Sequence, residues 1–348
     1  TFSGATAVAV TGAAGYLGSH VVRELLGRGL SVRAMVRGSA DQERYAHLRE
    51  LGEGTDRLKL VAADLLQADS LAALCDGADA VCHLAAAVRF WAKEPERSIV
   101  EPAVRGTKHV LDAASRAGVR TVVMASSVSA VLSYRRPSGT VFTEADWCDD
   151  ASLEVNPYAL GKTLSEQVAV EHHKSRPDAE RYRLVRLNPA YVLGPILAEA
   201  HVRSSPSIVR DMLNNTFHGC PRLAFTVVDV RDVARAFLAS LERPEVEGRF
   251  IVAGRSLWWS DIVDVLAAAF PERKFAKRRL PDWLVAAAGL VDPRVNVGFL
   301  RKNLGCRYEY DSTRAERELG FSSLPAEQTI ADTARSMIER RVPGTGPA

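Results

Sequence analysis

Val8-Ala9-Val10-Thr11-Gly12-Ala13-Ala14-Gly15-Tyr16-Leu17-Gly18 leads from a short apolar run, through a glycine turn, into an amphipathic stretch. Leu17, Val21 and Leu25 then recur at i, i+4 and i+8, the stripe of a helix buried on one face. The order strand, glycine turn, helix matters more than the glycines themselves. A turn of this kind lets backbone approach a pyrophosphate, and the following helix offers it free N–H groups and a positive dipole end. The spacing is G-x-x-G-x-x-G, one residue wider than the G-x-G-x-x-G fingerprint. Gly12, Gly15, Tyr16, Leu17 and Gly18 are therefore expected against a dinucleotide, Gly18 also allowing close helix–sheet packing. A tight turn of purely structural purpose would use the same glycines; the flanking strand and helix favour the dinucleotide.

Beyond this unit, short apolar runs continue to alternate with helical stretches, the pattern of repeated βα units and a parallel sheet. Candidate strands are Ala7–Thr11, Ser31–Val36, Leu58–Ala62, Ala80–Leu84, Thr121–Ala125 and Arg183–Leu187. Their cores are β-branched or small and apolar on both faces, as expected when helices cover both sides of a sheet. Gly29 and Gly118 follow the last periodic turn of their helices, where glycine is favoured. After Pro195 the rhythm changes. Residues 196–224 have no clean period, Phe225–Val228 and Arg249–Val252 resemble two further strands around a Val230–Leu241 helix, and the remainder is mostly helical. The expected fold is α/β: a Rossmann-type, doubly wound parallel sheet over 1–190 plus 225–255. A smaller, mainly helical C-terminal substrate lobe would comprise 191–224 plus 256–348.

Composition excludes several function classes. Of 348 residues, 47% are hydrophobic and 25% charged, an ordinary globular balance. The 45 basic and 42 acidic residues are interspersed for a net +3, so there is no basic stripe for nucleic acid. The one dense positive cluster, Lys274–Arg279, reads as solvated surface. Five scattered cysteines with no Cys-x-x-Cys predict neither a disulfide framework nor a metal site, and suit a reducing, cytoplasmic compartment. His172-His173 would point about 100° apart on a helix and are expected to face solvent. No signal peptide is read at the start, and the apolar window Leu284–Val291 is far shorter than the ~20 residues of a membrane helix.

Which nicotinamide is decided at the end of the second strand. An acid there would hold a ribose diol, whereas this strand ends Met35-Val36-Arg37-Gly38. A guanidinium suits a 2′-phosphate, so NADP(H) is preferred over NAD(H), the alternative being a solvated strand-end Arg37. Asp64-Leu65 closes the third strand, where Asp64 would meet the adenine or cap a helix.

Asn156-Pro157-Tyr158-Ala159-Leu160-Gly161-Lys162 opens a helix after the fifth strand and puts Tyr158 and Lys162 at i, i+4 on one face. A carbonyl that accepts hydride becomes an alkoxide and needs a proton. Tyrosine's ordinary pKa of ~10 is high for this, and a nearby ammonium is expected to lower it. Lys162 would also hold the nicotinamide ribose. A hydroxyl donor to the carbonyl is expected from the end of the fifth strand, Ser126-Ser127-Val128-Ser129. Ser127 is chosen over Ser126 and Ser129, with Ser126 supporting the cofactor or the backbone.

Taken in order, the glycine turn, His83-Leu84-Ala85-Ala86, Ser126-Ser127, Tyr158–Lys162 and Leu187-Asn188-Pro189-Ala190-Tyr191-Val192-Leu193-Gly194-Pro195 resemble the extended short-chain dehydrogenase/reductases. The Val-Arg strand end and the Asn-Pro-x-x-Val-x-Gly-Pro segment point to the dihydroflavonol 4-reductase, cinnamoyl-CoA reductase and aldehyde reductase branch. The similarity extends through Val228–Ala234 to Tyr310-Asp311-Ser312-Thr313. It implies a Rossmann fold, NADP(H), a Ser127/Tyr158/Lys162 triad, and Leu84, Ala85, Ala86, Pro189 and Val192 against the cofactor. Two positions depart from the pattern: Ala103 stands where extended members often carry an Asn of a proton relay, and Gly161 precedes Lys162 in place of Ser.

The expected activity is reversible NADPH-dependent reduction of a ketone or aldehyde. Rival readings are a hydroxysteroid dehydrogenase/isomerase or sugar-nucleotide epimerase, and a non-catalytic dinucleotide sensor. Val88, Phe90, Ser129, Tyr191 and Phe225, with Trp91, are candidates to line an apolar pocket, core packing being the alternative for each aromatic. The expected partner is a small apolar or aromatic carbonyl compound, with a homodimer as candidate assembly, and neither nucleic acid nor membrane.

Overall fold

The computed structural model describes residues 6–85, 92–216, 218–291 and 297–345. In chain order the first part runs β1 (Ala7–Thr11), α1 (Tyr16–Gly27), β2 (Ser31–Val36), α2 (Ala46–Leu51), β3 (Leu58–Ala62), α3 (Ala72–Cys75) and β4 (Ala80–His83). It continues α4 (Glu101–Arg116), β5 (Thr121–Ala125), β6 (Val141–Phe142), α5 (Pro157–Ser175), β7 (Arg183–Pro189) and β8 (Tyr191–Leu193). Then come α6 (Ser207–Leu213), β9 (Ala224–Asp229), α7 (Val230–Glu242), β10 (Gly248–Val252), β11 (Ser256–Trp258) and α8 (Trp259–Ala269). The chain closes with α9 (Asp282–Val291), α10 (Val297–Asn303), β12 (Glu309–Tyr310), α11 (Thr313–Leu319) and α12 (Ala326–Glu339).

Seven strands form one parallel sheet in the order β10-β7-β5-β4-β1-β2-β3. Val8, Ala9 and Val10 have no exposed surface, and all of β5 is buried, because helices cover both faces. One face packs Leu25, Phe237 and Phe250; the other packs Leu74, Leu111 and Val122. From β1 the chain winds outward to β3, then returns to place β4 on the other side of β1. That reversal opens a crevice at the carboxyl ends of β1 and β4, the general ligand position in such sheets. A second core, around Leu193, Ile208, Trp259 and Ile330, belongs to helices α6, α8 and α12 and a small sheet ordered β11-β9-β8.

The expected strands agree with the observed ones to within two residues, and the differences have local causes. Leu84 leaves β4 as its N–H turns to the Thr11 hydroxyl at 3.1 Å. β7 runs on through Pro189, whose missing donor matters little at a strand end. Of the two late strands, β10 joins the large sheet beside β7, but β9 pairs with β8 and β11 instead. Tyr308, Ala315 and Phe321 return to the first core, with β12 pairing β6. The expectation that His172 and His173 face solvent is corrected. His172 binds the Tyr182 hydroxyl at 2.9 Å and Asp112 at 3.1 Å, and His173 approaches Glu247 at 3.3 Å. The cluster Lys274–Arg279 does carry exposed Lys274, Lys277, Arg278 and Arg279. Among the described residues, no helix is long and apolar enough to cross a membrane.

Candidate active site

The glycine turn is built from steric necessity. Gly12 has φ +68°, and a Cβ there would lie 2.8 Å from the Ala85 backbone. A Cβ on Gly18 would lie 2.0 Å from the Gly12 carbonyl oxygen, so α1 can approach β1 only without one. Gly15 N–H closes the turn on the Gly12 carbonyl at 2.9 Å, leaving the first N–H groups of α1 facing the crevice. Tyr16 turns its side chain away: its hydroxyl donates to the Gly194 carbonyl at 2.7 Å, so its offering to a dinucleotide is backbone. Thr11 Oγ1 accepts the N–H groups of Leu84 and Ala85 and therefore donates to His83 Nδ1 at 2.8 Å. His83 Nε2 is then the protonated nitrogen, donating to Thr107 at 3.1 Å. Burial holds this imidazole neutral by pushing its pKa down to about 3. The relay pins Leu84 and Ala85 against the turn. Ala86, Val88, Phe90 and Trp91 lie outside the described residues.

Behind the turn lies a group that sequence reading missed. Ser19 Oγ donates to the Ala13 carbonyl at 3.0 Å and meets His47 at 3.1 Å, while His201 reaches the Ala14 carbonyl at 3.3 Å. At the end of β2, Arg37 and Arg44 are both exposed, and Arg44 Nη2 donates to the Arg37 carbonyl at 2.6 Å. Two guanidiniums thus share the strand end where one was expected. Asp64 Oδ1 accepts Leu66 N–H at 2.8 Å in a side-chain-capped turn rather than a helix N-cap, and the Leu65 carbonyl accepts from His109 at 2.7 Å.

Across the crevice, Asn156 and Pro157 start α5. Asn156 Oδ1 caps Ala159 N–H at 3.0 Å, its Nδ2 donates to Tyr134 at 2.8 Å, and Pro157 fills the first helical position. This fixes Tyr158 in the first turn and Lys162 one turn on. Tyr158 hydrogen-bonds Ser127, whose Oγ also accepts Ser129 N–H at 3.1 Å. Lys162 Nζ donates to the Ala125 carbonyl at 2.8 Å and stands 5.9 Å from the Tyr158 ring centroid. The three expected residues are therefore together. Their electrostatics differ from expectation, since desolvation dominates both groups. Burial pushes the Tyr158 phenol up to about 12 against the Ser127 hydrogen bond, and burial pushes Lys162 down to about 8 against the pull of Glu166.

Ser126 points the other way, donating to buried Glu166 at 2.6 Å, so its hydroxyl is spent inside the protein instead of on a cofactor. Gly161 and Ala103, the two departures from the family pattern, are neighbours: a Cβ on Gly161 would lie 3.6 Å from that of Ala103. In the smaller core, Tyr191 donates to the Ser205 carbonyl at 3.0 Å, and its ring lies 4.9 Å from Phe225, which abuts Trp259. Pro189 is buried and Val192 partly so, at the ends of β7 and in β8. The Asp229 carboxylate, buried at the head of α7, takes Arg231 and Thr329 and so clamps α12 to the sheet domain.

The model of the NAD dependent epimerase/dehydratase family matches residues 8–254, which include the glycine turn, Ser127, Tyr158 and Lys162. The chain belongs to this family. Within it, cinnamoyl-CoA reductase 2 of Arabidopsis thaliana is 35% identical over 96% of this chain and 92% of its own. A bifunctional dihydroflavonol 4-reductase/flavanone 4-reductase of Pyrus communis is 27% identical over 96% of this chain and 97% of its own. The yeast methylglyoxal/isovaleraldehyde reductase Gre2, solved with NADPH, superposes with TM-score 0.79 at 25% identity, covering 97% and 99% of the two chains. Family membership and the extended short-chain dehydrogenase/reductase resemblance agree.

Proposed function

We propose that this protein is an NADP(H)-dependent oxidoreductase that reduces a small apolar or aromatic aldehyde or ketone, with Tyr158 delivering the proton. The observation that carries this reading is the Ser127–Tyr158–Lys162 group at the sheet's carboxyl edge, across from the glycine turn. Relatives that reduce carbonyl compounds, one solved with NADPH, support the reaction class. The dinucleotide would lie with its pyrophosphate on the first turn of α1 and its 2′-phosphate between Arg37 and Arg44. It supplies the hydride. Ser127 donates to the substrate oxygen, Tyr158 transfers a proton to that oxygen as the C–H bond forms, and the Lys162 ammonium favours the phenolate left behind. A sensor would not require this phenol–ammonium pair, and an epimerase would return its hydride and consume no nicotinamide.

The test is a panel of acetophenone, cinnamaldehyde, isovaleraldehyde and methylglyoxal, followed as loss of NADPH absorbance. At least one should consume NADPH in stoichiometric proportion to product, faster than NADH, and Arg37→Ala should cut that preference roughly tenfold or more through loss of a charged hydrogen-bond partner. No consumption across the panel, or equal use of both nucleotides by the parent protein, rejects the reading.

The pH dependence follows from the two ionisations. With the Tyr158 phenol pushed up to about 12, the acid form is present throughout the neutral range. Lys162 carries its charge below a pKa of about 8 and loses it above. For reduction, kcat/KM should therefore be level near pH 6–7 and fall above about pH 8. A profile that rises through pH 9 would remove Lys162 from the mechanism.

A further inference from the structure

β5 ends with Ser126 N–H donating to the Leu187 carbonyl at 2.7 Å, and beyond it the chain leaves the ladder. Ser127 is thus held by side chains and by its own short turn, Val128–Ala130. Glu166 lies under this point. It follows Lys162 by four residues on α5, as Lys162 follows Tyr158, so one helical ridge presents phenol, ammonium and carboxylate in sequence. Its side chain has no exposed surface. Oε2 accepts from Ser126 at 2.6 Å and from Asn188 Nδ2 at 3.0 Å, and the same Asn188 amide donates to the Ser127 carbonyl at 3.0 Å. Oε1 pairs with Arg249 at 2.7 Å and Arg186 at 3.4 Å. Arg249 in turn donates to the Ala130 carbonyl at 2.9 Å, and to the Asp146 carbonyl.

A buried carboxylate is costly unless paired and hydrogen-bonded, and an apolar side chain of similar size would fill this space at less cost. What the ion pair adds is direction. Both of its partners hold the segment that carries Ser127: Glu166 through Ser126 and Asn188, Arg249 through Ala130. We propose that Glu166, clamped by Arg249, is a positioning residue that aims Ser127 at Tyr158. This rests on the reading that Ser127, Tyr158 and Lys162 perform the reduction.

Among the described residues, the titratable groups that act on Lys162 are Glu166 and Tyr158 on its own helix and the neutral His83 on β4. Glu166 opposes the desolvation that lowers Lys162. Without its charge the ammonium would be lost at lower pH, moving the alkaline fall of kcat/KM to lower pH. Glu166→Gln should lower kcat roughly 10- to 100-fold on the best carbonyl of the panel, as small misplacements of reacting groups do. NADPH affinity by fluorescence titration should change less than about twofold, since the Glu166 side chain has no exposed surface to offer a nucleotide. Ser126→Ala, which cuts one tether and buries no new charge, should lower kcat several-fold and leave the pH profile in place. A folded Glu166→Gln with parental kcat and an unmoved pH limb, whatever its melting temperature, would make Glu166 a structural tie only. If Glu166→Gln does not fold, parental kcat in Ser126→Ala overturns the proposal. Tyr158→Phe run alongside separates the two readings. An active Tyr158→Phe rejects the mechanism beneath, whereas an inactive Tyr158→Phe beside a fully active Glu166→Gln rejects this inference alone.

Discussion

Tyr158→Phe should lower kcat by roughly 10²–10⁴-fold while leaving the Kd for NADPH and the melting temperature close to the parental values. The expectation comes from what the substitution removes. Phenylalanine keeps the ring at the start of α5 and deletes one hydroxyl. Asn156 still caps Ala159 and Pro157 still opens the helix, so the fold of this segment does not depend on that oxygen. The lost group is the hydroxyl bonded to Ser127, the proton donor of the proposed reduction. Hydride arrival turns the carbonyl oxygen into an alkoxide. Without a positioned acid, its proton must come from solvent through a site lined by the buried Lys162 and Ser127. Single-turnover absorbance at saturating NADPH checks this, because it isolates the chemical step from binding and release. A Tyr158→Phe protein that turns over at the parental rate would exclude Tyr158 as the acid.

The contrast between Tyr158 and Glu166 shows what the chain order reveals and what it hides. Tyr158 and Lys162 are one helical turn apart, and their geometry follows from helix periodicity alone. The glycine turn is equally local: Gly12, Gly15 and Gly18 meet one another and the adjacent strand end. Strands buried on both faces are visible as continuous apolar runs, which is why β1, β4 and β5 stand where the pattern put them. Glu166 carried a readable signal, an acid on the same ridge as Tyr158 and Lys162. Its partners did not, because Ser126 is 40 residues away and Arg249 is 83. Residues that far apart meet only when β10 docks beside β7. The same reason explains β9, whose apolar run looks like that of β10 but which pairs with the small sheet. Arg44 was hidden by a loop that folds it back on Arg37.

Electrostatics were legible in kind and reversed in sign. From sequence, an ammonium beside a phenol lowers the phenol. In the folded protein both groups are desolvated, and that penalty falls on each charged form: the phenol goes up and the ammonium comes down. In the proposed reduction the pair therefore starts with the phenol protonated and the ammonium close to its titration point. Glu166 tips that balance toward the charged lysine.

The other large effect belongs to the glycine turn. Gly18→Ala should weaken NADPH binding by more than about 100-fold or abolish folding of the turn, since a Cβ 2.0 Å from the Gly12 oxygen must push α1 off β1. The N–H groups of the first turn then no longer converge on a pyrophosphate, and binding loses both their hydrogen bonds and the helix dipole. Gly15→Ala is a graded companion: its Cβ would lie 3.1 Å from the same oxygen, so a loss between the two extremes is expected. Gly27→Ala on the same helix is the control, because a Cβ there meets nothing within 4 Å. It should leave NADPH binding unchanged and raise stability by about 0.5–1 kcal/mol through helix propensity. Fluorescence titration with NADPH and thermal melts of the three variants give the comparison. Equal affinity in Gly18→Ala and Gly27→Ala would mean that the dinucleotide does not rest on this turn. The ordering Gly27, Gly15, Gly18 in growing loss would tie binding to close approach at the Gly12 carbonyl rather than to glycine content.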